Sequence, residues 1–156
     1  MKQKWTNALL WIVGTELVGA LSAILAGGNF SAFYQSLNRP PLSPPGWLFP
    51  VAWAILYALM GFSAYLIDKS DSFKRKGALL LYGAQLFVNF LWSPVFFGLK
   101  SLGGATVVVL LMLVLICAML VRFWGIRRLA VYLNLPYLAW TLYACYLTIG
   151  VLVLNR

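Results

Sequence analysis

The chain is 156 residues long, 63% hydrophobic and only 10% charged, against roughly 25% charged in an ordinary soluble domain, so its expected solvent is lipid. Twelve Lys and Arg against three acids give a net charge of +9; they stand at the ends of apolar runs, which reads as topology signals and headgroup contacts and leaves no nucleic-acid face. Histidine is absent, and Cys117 and Cys145 lie deep in apolar stretches without metal spacing. That removes the usual metal ligand, general base and haem axial ligand and predicts no metal site.

Runs of about 20 apolar residues predict five spans, at 8–27, 47–67, 78–99, 102–121 and 129–154. The runs are continuous and lack the period-two alternation of a barrel, so helices are expected. The predicted fold is an all-α membrane protein, one five-transmembrane-helix bundle over residues 1–156 with a short helix in the first extramembrane loop. Its first partner is the lipid bilayer.

The first span carries Thr15, Gly19, Ala23 and Gly27 at four-residue spacing, a row of small residues that lets another helix approach closely. Packing within the chain and a homodimer are equally served by it. Glu16 sits near the middle of the same span. An intramembrane carboxyl is either a functional group or a protonated one hydrogen-bonded between helices.

The loop over residues 29–46 holds Phe30, Phe33, Tyr34 and Leu37 at the spacing of one helical face. Asn29 or Ser31 is the expected cap, and Pro40 the expected end. Pro40, Pro41, Pro44 and Pro45 then make the loop stiff, as a lid over a site would be. In the second span Trp53, Tyr57, Met60 and Ala64 share a face, with Pro50 in the first turn. Asp68 and Asp71 follow in a loop and are expected in solvent.

In the third span Tyr82, Gln85, Asn89 and Ser93 align beside Trp92 and Phe96. Pro94 cannot donate to the Phe90 carbonyl and predicts a kink there. Lys100 and Ser101 mark a tight hairpin to the fourth span. In the fifth, Tyr137, Trp140, Ala144 and Leu147 align, with Tyr143 and Thr148 adjacent and a bend expected at Pro136. Polar groups turn away from lipid, so these three faces are expected to enclose one aromatic cavity with a few hydrogen-bonding groups. Singly, each of these residues also reads as helix glue or interfacial belt.

Lys2, Lys4, Lys69, Lys74, Arg75, Lys76, Arg122, Arg127 and Arg128 fall on one side of the spans, and Arg39, Lys100 and Arg156 on the other. The bias predicts a cytoplasmic N-terminus, with the proline loop and the C-terminus outside.

Three ordered blocks carry a family resemblance. The first is Tyr34, Leu37, Arg39, Pro40, Pro44, Pro45, Trp53, Leu56, Tyr57, Met60, Gly61 and Tyr65. The second is Gln85, Leu86, Asn89, Trp92, Ser93, Phe96, Phe97 and Gly98. The third is Pro136, Tyr137, Leu138, Trp140, Tyr143, Ala144 and Leu147. The chain resembles the translocator protein family, the peripheral-type benzodiazepine receptors, called tryptophan-rich sensory proteins in bacteria.

The resemblance implies a five-helix bundle, often a homodimer, in a bacterial cell membrane, with a pocket beneath the first loop. It implies binding of tetrapyrroles such as protoporphyrin IX and of hydrophobic drug-like molecules, with no obligatory cofactor. Pocket positions carried over are Tyr34, Trp53, Tyr57, Asn89, Trp92, Ser93, Trp140 and Ala144; the faces read above add Gln85 and Leu147. Sensor or carrier is the role expected. No catalytic residue is assigned unless porphyrin is broken down in light, for which Trp53 and Trp140 stand at the implicated positions. A dimeric scaffold is the remaining alternative. Leu42 stands where the family has Trp, and Leu147 is followed by Thr148 where the family has Asn, which counts against a sterol site there.

Overall fold

Six α-helices follow one another in the computed structural model, which describes residues 2–27 and 30–156 and the side chains of 5–27 and 32–156. They are α1 (Lys2–Leu25), α2 (Phe30–Ser36), α3 (Leu48–Asp68), α4 (Arg75–Ser93), α5 (Leu102–Trp124) and α6 (Arg128–Leu154), with a π-helical turn (Pro94–Gly98) after α4. Among the described residues there is no strand. Five of the helical stretches are long and apolar enough to cross a membrane, α4 counted with its π turn. The all-α five-span bundle expected from the hydropathy is the fold found.

Each helix is apolar where it meets its neighbours and also where it meets lipid. Met60 and Ile67 of α3 and Met112, Ile116, Met119 and Phe123 of α5 are fully buried in one core that α4 and α6 also line. Leu9, Leu10, Val13, Leu17, Leu21 and Ile24 of α1 stay more than half exposed, which suits a hydrocarbon solvent.

α1 crosses α3 at close range because Gly61 has no side chain. A Cβ there would lie 2.6 Å from the Ile12 Cα. Farther along, a Cβ at Gly19 would collide with the Tyr57 ring. The small-residue row of α1 is thus used inside the chain at Thr15 and Gly19, while Ala23 and Gly27 stay exposed. Polar groups fasten the same helix. Thr15 Oγ1 and Tyr82 Oη share a hydrogen bond of 2.6 Å, and Trp11 Nε1 donates to Asp68 Oδ2 at 3.4 Å. Asp68, expected in solvent, instead holds the foot of α1.

Pro94 opens the helix it follows in the expected way, but the outcome is a π-helical turn, closed by the Leu99 amide on the Pro94 carbonyl at 2.8 Å. The Phe90 carbonyl, without an i+4 donor, accepts from Ser22 Oγ of α1 at 2.7 Å. α6 runs unbroken through Pro136. Ser101 caps α5, its side chain accepting from the Gly104 amide at 3.2 Å.

The short helix of the first loop ends at Ser36, not at Pro40. The Asn38 backbone is engaged elsewhere: its N–H donates to Asn155 Oδ1 at 3.0 Å and its carbonyl accepts from Asn155 Nδ2 at 2.8 Å. Helical continuation would break both. The proposed cap Asn29 lies outside the described residues, as do the side chains of Lys2, Lys4, Phe30 and the other proposed cap, Ser31, whose backbone is already inside α2.

Candidate functional site

The halves of α1, α3 and α4 nearest the first loop do not close against one another. Gly19, Ala20 and Ala23 give α1 a flat wall, and with Glu16 they form one side of a cavity of about 400 Å³. Phe49, Pro50, Trp53, Ala54 and Tyr57, from the first three turns of α3, form the second side. Asn89, Trp92, Ser93 and Phe97 form the third, across the α4–π junction. Tyr34 and Gly46 roof it, and Met112 of α5 reaches its base. The size and the mostly aromatic lining match those of small-molecule sites.

Six of the residues expected at the site line this cavity: Tyr34, Trp53, Tyr57, Asn89, Trp92 and Ser93. Gln85, Trp140, Ala144 and Leu147 lie outside the lining, each for a visible reason. Gln85 is fully buried, its Oε1 accepting from Tyr137 Oη at 2.8 Å. Trp140 meets Phe49 edge-to-face with centroids 6.1 Å apart, so it backs the wall without forming it. Ala144 and Leu147 are on the part of α6 that packs against core and loop. The wall expected from the fifth span is supplied instead by α1.

A directed hydrogen-bond chain runs under the cavity. Tyr57 Oη donates to Asn89 Oδ1 at 2.7 Å, Asn89 Nδ2 donates to Tyr137 Oη at 2.9 Å, and Tyr137 Oη donates to Gln85 Oε1. The chain fixes which way the Asn89 amide points, and it leaves the Tyr57 oxygen able to accept from a guest. Trp53 stacks on Tyr57 with centroids 5.2 Å apart and planes 27° apart. Trp92 stacks on Phe96 at 5.0 Å. These pairs hold flat π-faces ready for another flat ring.

The roof is strapped to α6. Tyr146 Oη donates to the Pro41 carbonyl at 2.8 Å, and Tyr143 Oη donates to the Leu42 carbonyl. Pro40 packs on Gly150, where a Cβ would come within 2.7 Å of its Cγ. Together with the Asn38–Asn155 pair, these hold residues 38–42 against the C-terminal end of α6. Tyr34 completes the roof from inside, donating to the Pro44 carbonyl at 3.1 Å. The Arg39 guanidinium lies 4.7 Å over the Tyr34 ring. Leu42 takes a left-handed φ of 65° and is 85% exposed, so its side chain plays no part in the seat of the lid.

Glu16, Gly19, Ala20, Ala23, Phe49 and Phe97 also line the cavity, although the spacing of the sequence does not assign them to a site. The signal for the α1 wall is its small-residue row together with Glu16, which also reads as plain helix packing. Among the described residues no His, Cys, Asp and Glu cluster able to hold a metal occurs.

These features define a polytopic helical membrane protein with an aromatic cavity between its spans, roofed by a proline-rich loop. Comparison with known sequences gives the particular group: the TspO/MBR family profile matches residues 11–154, and the chain belongs to that family. It is 37% identical over 148 residues to the protein CrtK of Rhodobacter capsulatus, covering 94% of this chain and 91% of that one. It is 34% identical over 155 residues to the tryptophan-rich sensory protein of Cereibacter sphaeroides, covering 99% and 95%. It is 33% identical over 143 residues to the translocator protein of Homo sapiens, covering 90% and 85%. The protein is thus an integral membrane member of a sensory and translocator family.

Proposed function

We propose that the cavity binds a flat hydrophobic molecule, a tetrapyrrole of the protoporphyrin IX kind or an aromatic drug-like compound, and that the protein serves as its sensor or carrier in the membrane. The observation that carries this is the cavity of about 400 Å³ walled by Tyr34, Phe49, Trp53, Tyr57, Trp92 and Phe97. A large flat apolar ring gains most from such walls. Arg39 at the roof is the group suited to propionates. With no histidine in the chain, affinity rests on ring contacts, so metal-free protoporphyrin binds at least as well as haem.

Quenching of tryptophan fluorescence by each compound tests this reading. Trp53→Leu and Trp92→Leu are expected to weaken protoporphyrin IX by about tenfold each, the value of one lost aromatic contact. Unchanged affinity in both variants, or strong preference for haem with an axial shift of its absorption, would overturn it. The same reading takes the N-terminus as cytoplasmic and the roof as facing outside. A homodimer belongs to it through the family alone.

A further inference from the structure

Glu16 is the carboxylate that the bundle leaves without an answer. It lines the cavity, and among the described residues it has neither a hydrogen-bond donor nor a cation as partner. None of the spans offers one: α1 from Trp5 onward and α3 carry no Lys or Arg, and those of α4, α5 and α6 stand in a terminal turn. The groups across the cavity from it, Tyr57 and Asn89, are already committed to each other. An ionisable group at membrane depth is normally matched by a named partner. Here the partner position is open and faces a ligand-sized space.

The surroundings fit one chemistry. Trp53 and Tyr57 present stacked rings in the same cavity as the carboxylate. An anion beside aromatic faces is the arrangement that holds an organic cation, by charge and by the ring quadrupole together. A cation also stands above the cavity, outside its lining. Arg39 lies at the roof over Tyr34, whereas Glu16 lies two turns deeper along α1 than Ala23, about 10 Å.

We propose that Glu16 makes the inner end of the cavity selective for flat aromatic molecules carrying a positively charged nitrogen, with any acidic substituent directed to the Arg39 end. This rests on the reading of the cavity as a ligand site and names which occupants it favours. It adds a specificity-determining residue on the first helix.

Proflavine and acridine test the assignment, because they share a tricyclic ring and differ in charge at neutral pH. The full chain in zwitterionic nanodiscs is titrated with each, and with protoporphyrin IX as competitor. Proflavine is expected to bind wild type about tenfold more tightly than Glu16→Gln, the value of a charge-assisted contact. Acridine and protoporphyrin IX are expected to differ by less than about twofold between the two proteins. Glu16→Asp, which keeps the charge, restores part of the loss and separates charge from packing. Equal proflavine affinity in wild type and Glu16→Gln, with acridine still bound, overturns this proposal alone. If wild type binds none of the three compounds, the cavity reading falls and takes this one with it.

Discussion

Gly61 shows how much one missing methyl group decides. It lets the backbone of α3 touch that of α1 at Ile12, and this brings Gly19 up to the Tyr57 ring and closes the cavity on that side. Gly61→Ala pushes backbone against backbone and is expected to cost about 1–3 kcal/mol, the range for overpacking. Gly14 is a control on the opposite side of the argument. It lies in mid-helix, and a Cβ added there would meet nothing within 4 Å, so Gly14→Ala gains helix propensity of about 0.5–1 kcal/mol. Thermal unfolding in detergent should therefore move the two variants in opposite directions. At this scale the sequence was informative wherever polarity forced an answer. Asn89, Ser93 and Tyr57 had to turn inward from lipid, and 3.6-residue spacing put Trp53 beside Tyr57. Spacing says which face a residue is on but not which helix stands opposite. Hence Glu16 and Phe49 joined the lining, whereas Trp140 came to rest behind Phe49.

The α4–π junction shows what lies beyond local sequence at the scale of an element. Pro94 announces a broken hydrogen bond by itself, but the group that answers it, Ser22, is 68 residues away on another helix. Ser22→Ala should leave the Phe90 carbonyl without that donor and cost about 1 kcal/mol. In a Pro94→Ala background the carbonyl regains its i+4 donor, and the same substitution should cost less than half as much. A double-mutant cycle by thermal unfolding measures the difference; additive effects would separate Ser22 from the π turn. The early end of α2 has the same origin, since Asn155 claims the backbone of Asn38 from a distance no window of sequence covers.

For the whole molecule, hydropathy alone conveyed the number of spans, while the basic residues carry the proposed orientation. Lys69, Lys74, Arg75 and Lys76 between α3 and α4 share an end with Arg122, Arg127 and Arg128 between α5 and α6, while Arg39, Lys100 and Arg156 lie at the other. Two exposed side chains report on the proposed orientation, Leu42 at the roof, 85% exposed, and Phe73 between α3 and α4, 90% exposed. In cells expressing a chain without Cys117 and Cys145, a membrane-impermeant maleimide should label Leu42→Cys at once. Phe73→Cys should react only after permeabilisation. The reverse pattern would invert the topology.

The pairing of Asn38 with Asn155 also sets an order of events during synthesis. The two are separated by 117 residues, and four of the five spans are made between them. At roughly 5–20 residues per second the roof emerges on the order of ten seconds before the residue that ties it down. The aromatic face of α3 therefore spends its first moments in the bilayer uncovered, and the last helix to be made is the one that fastens the first loop.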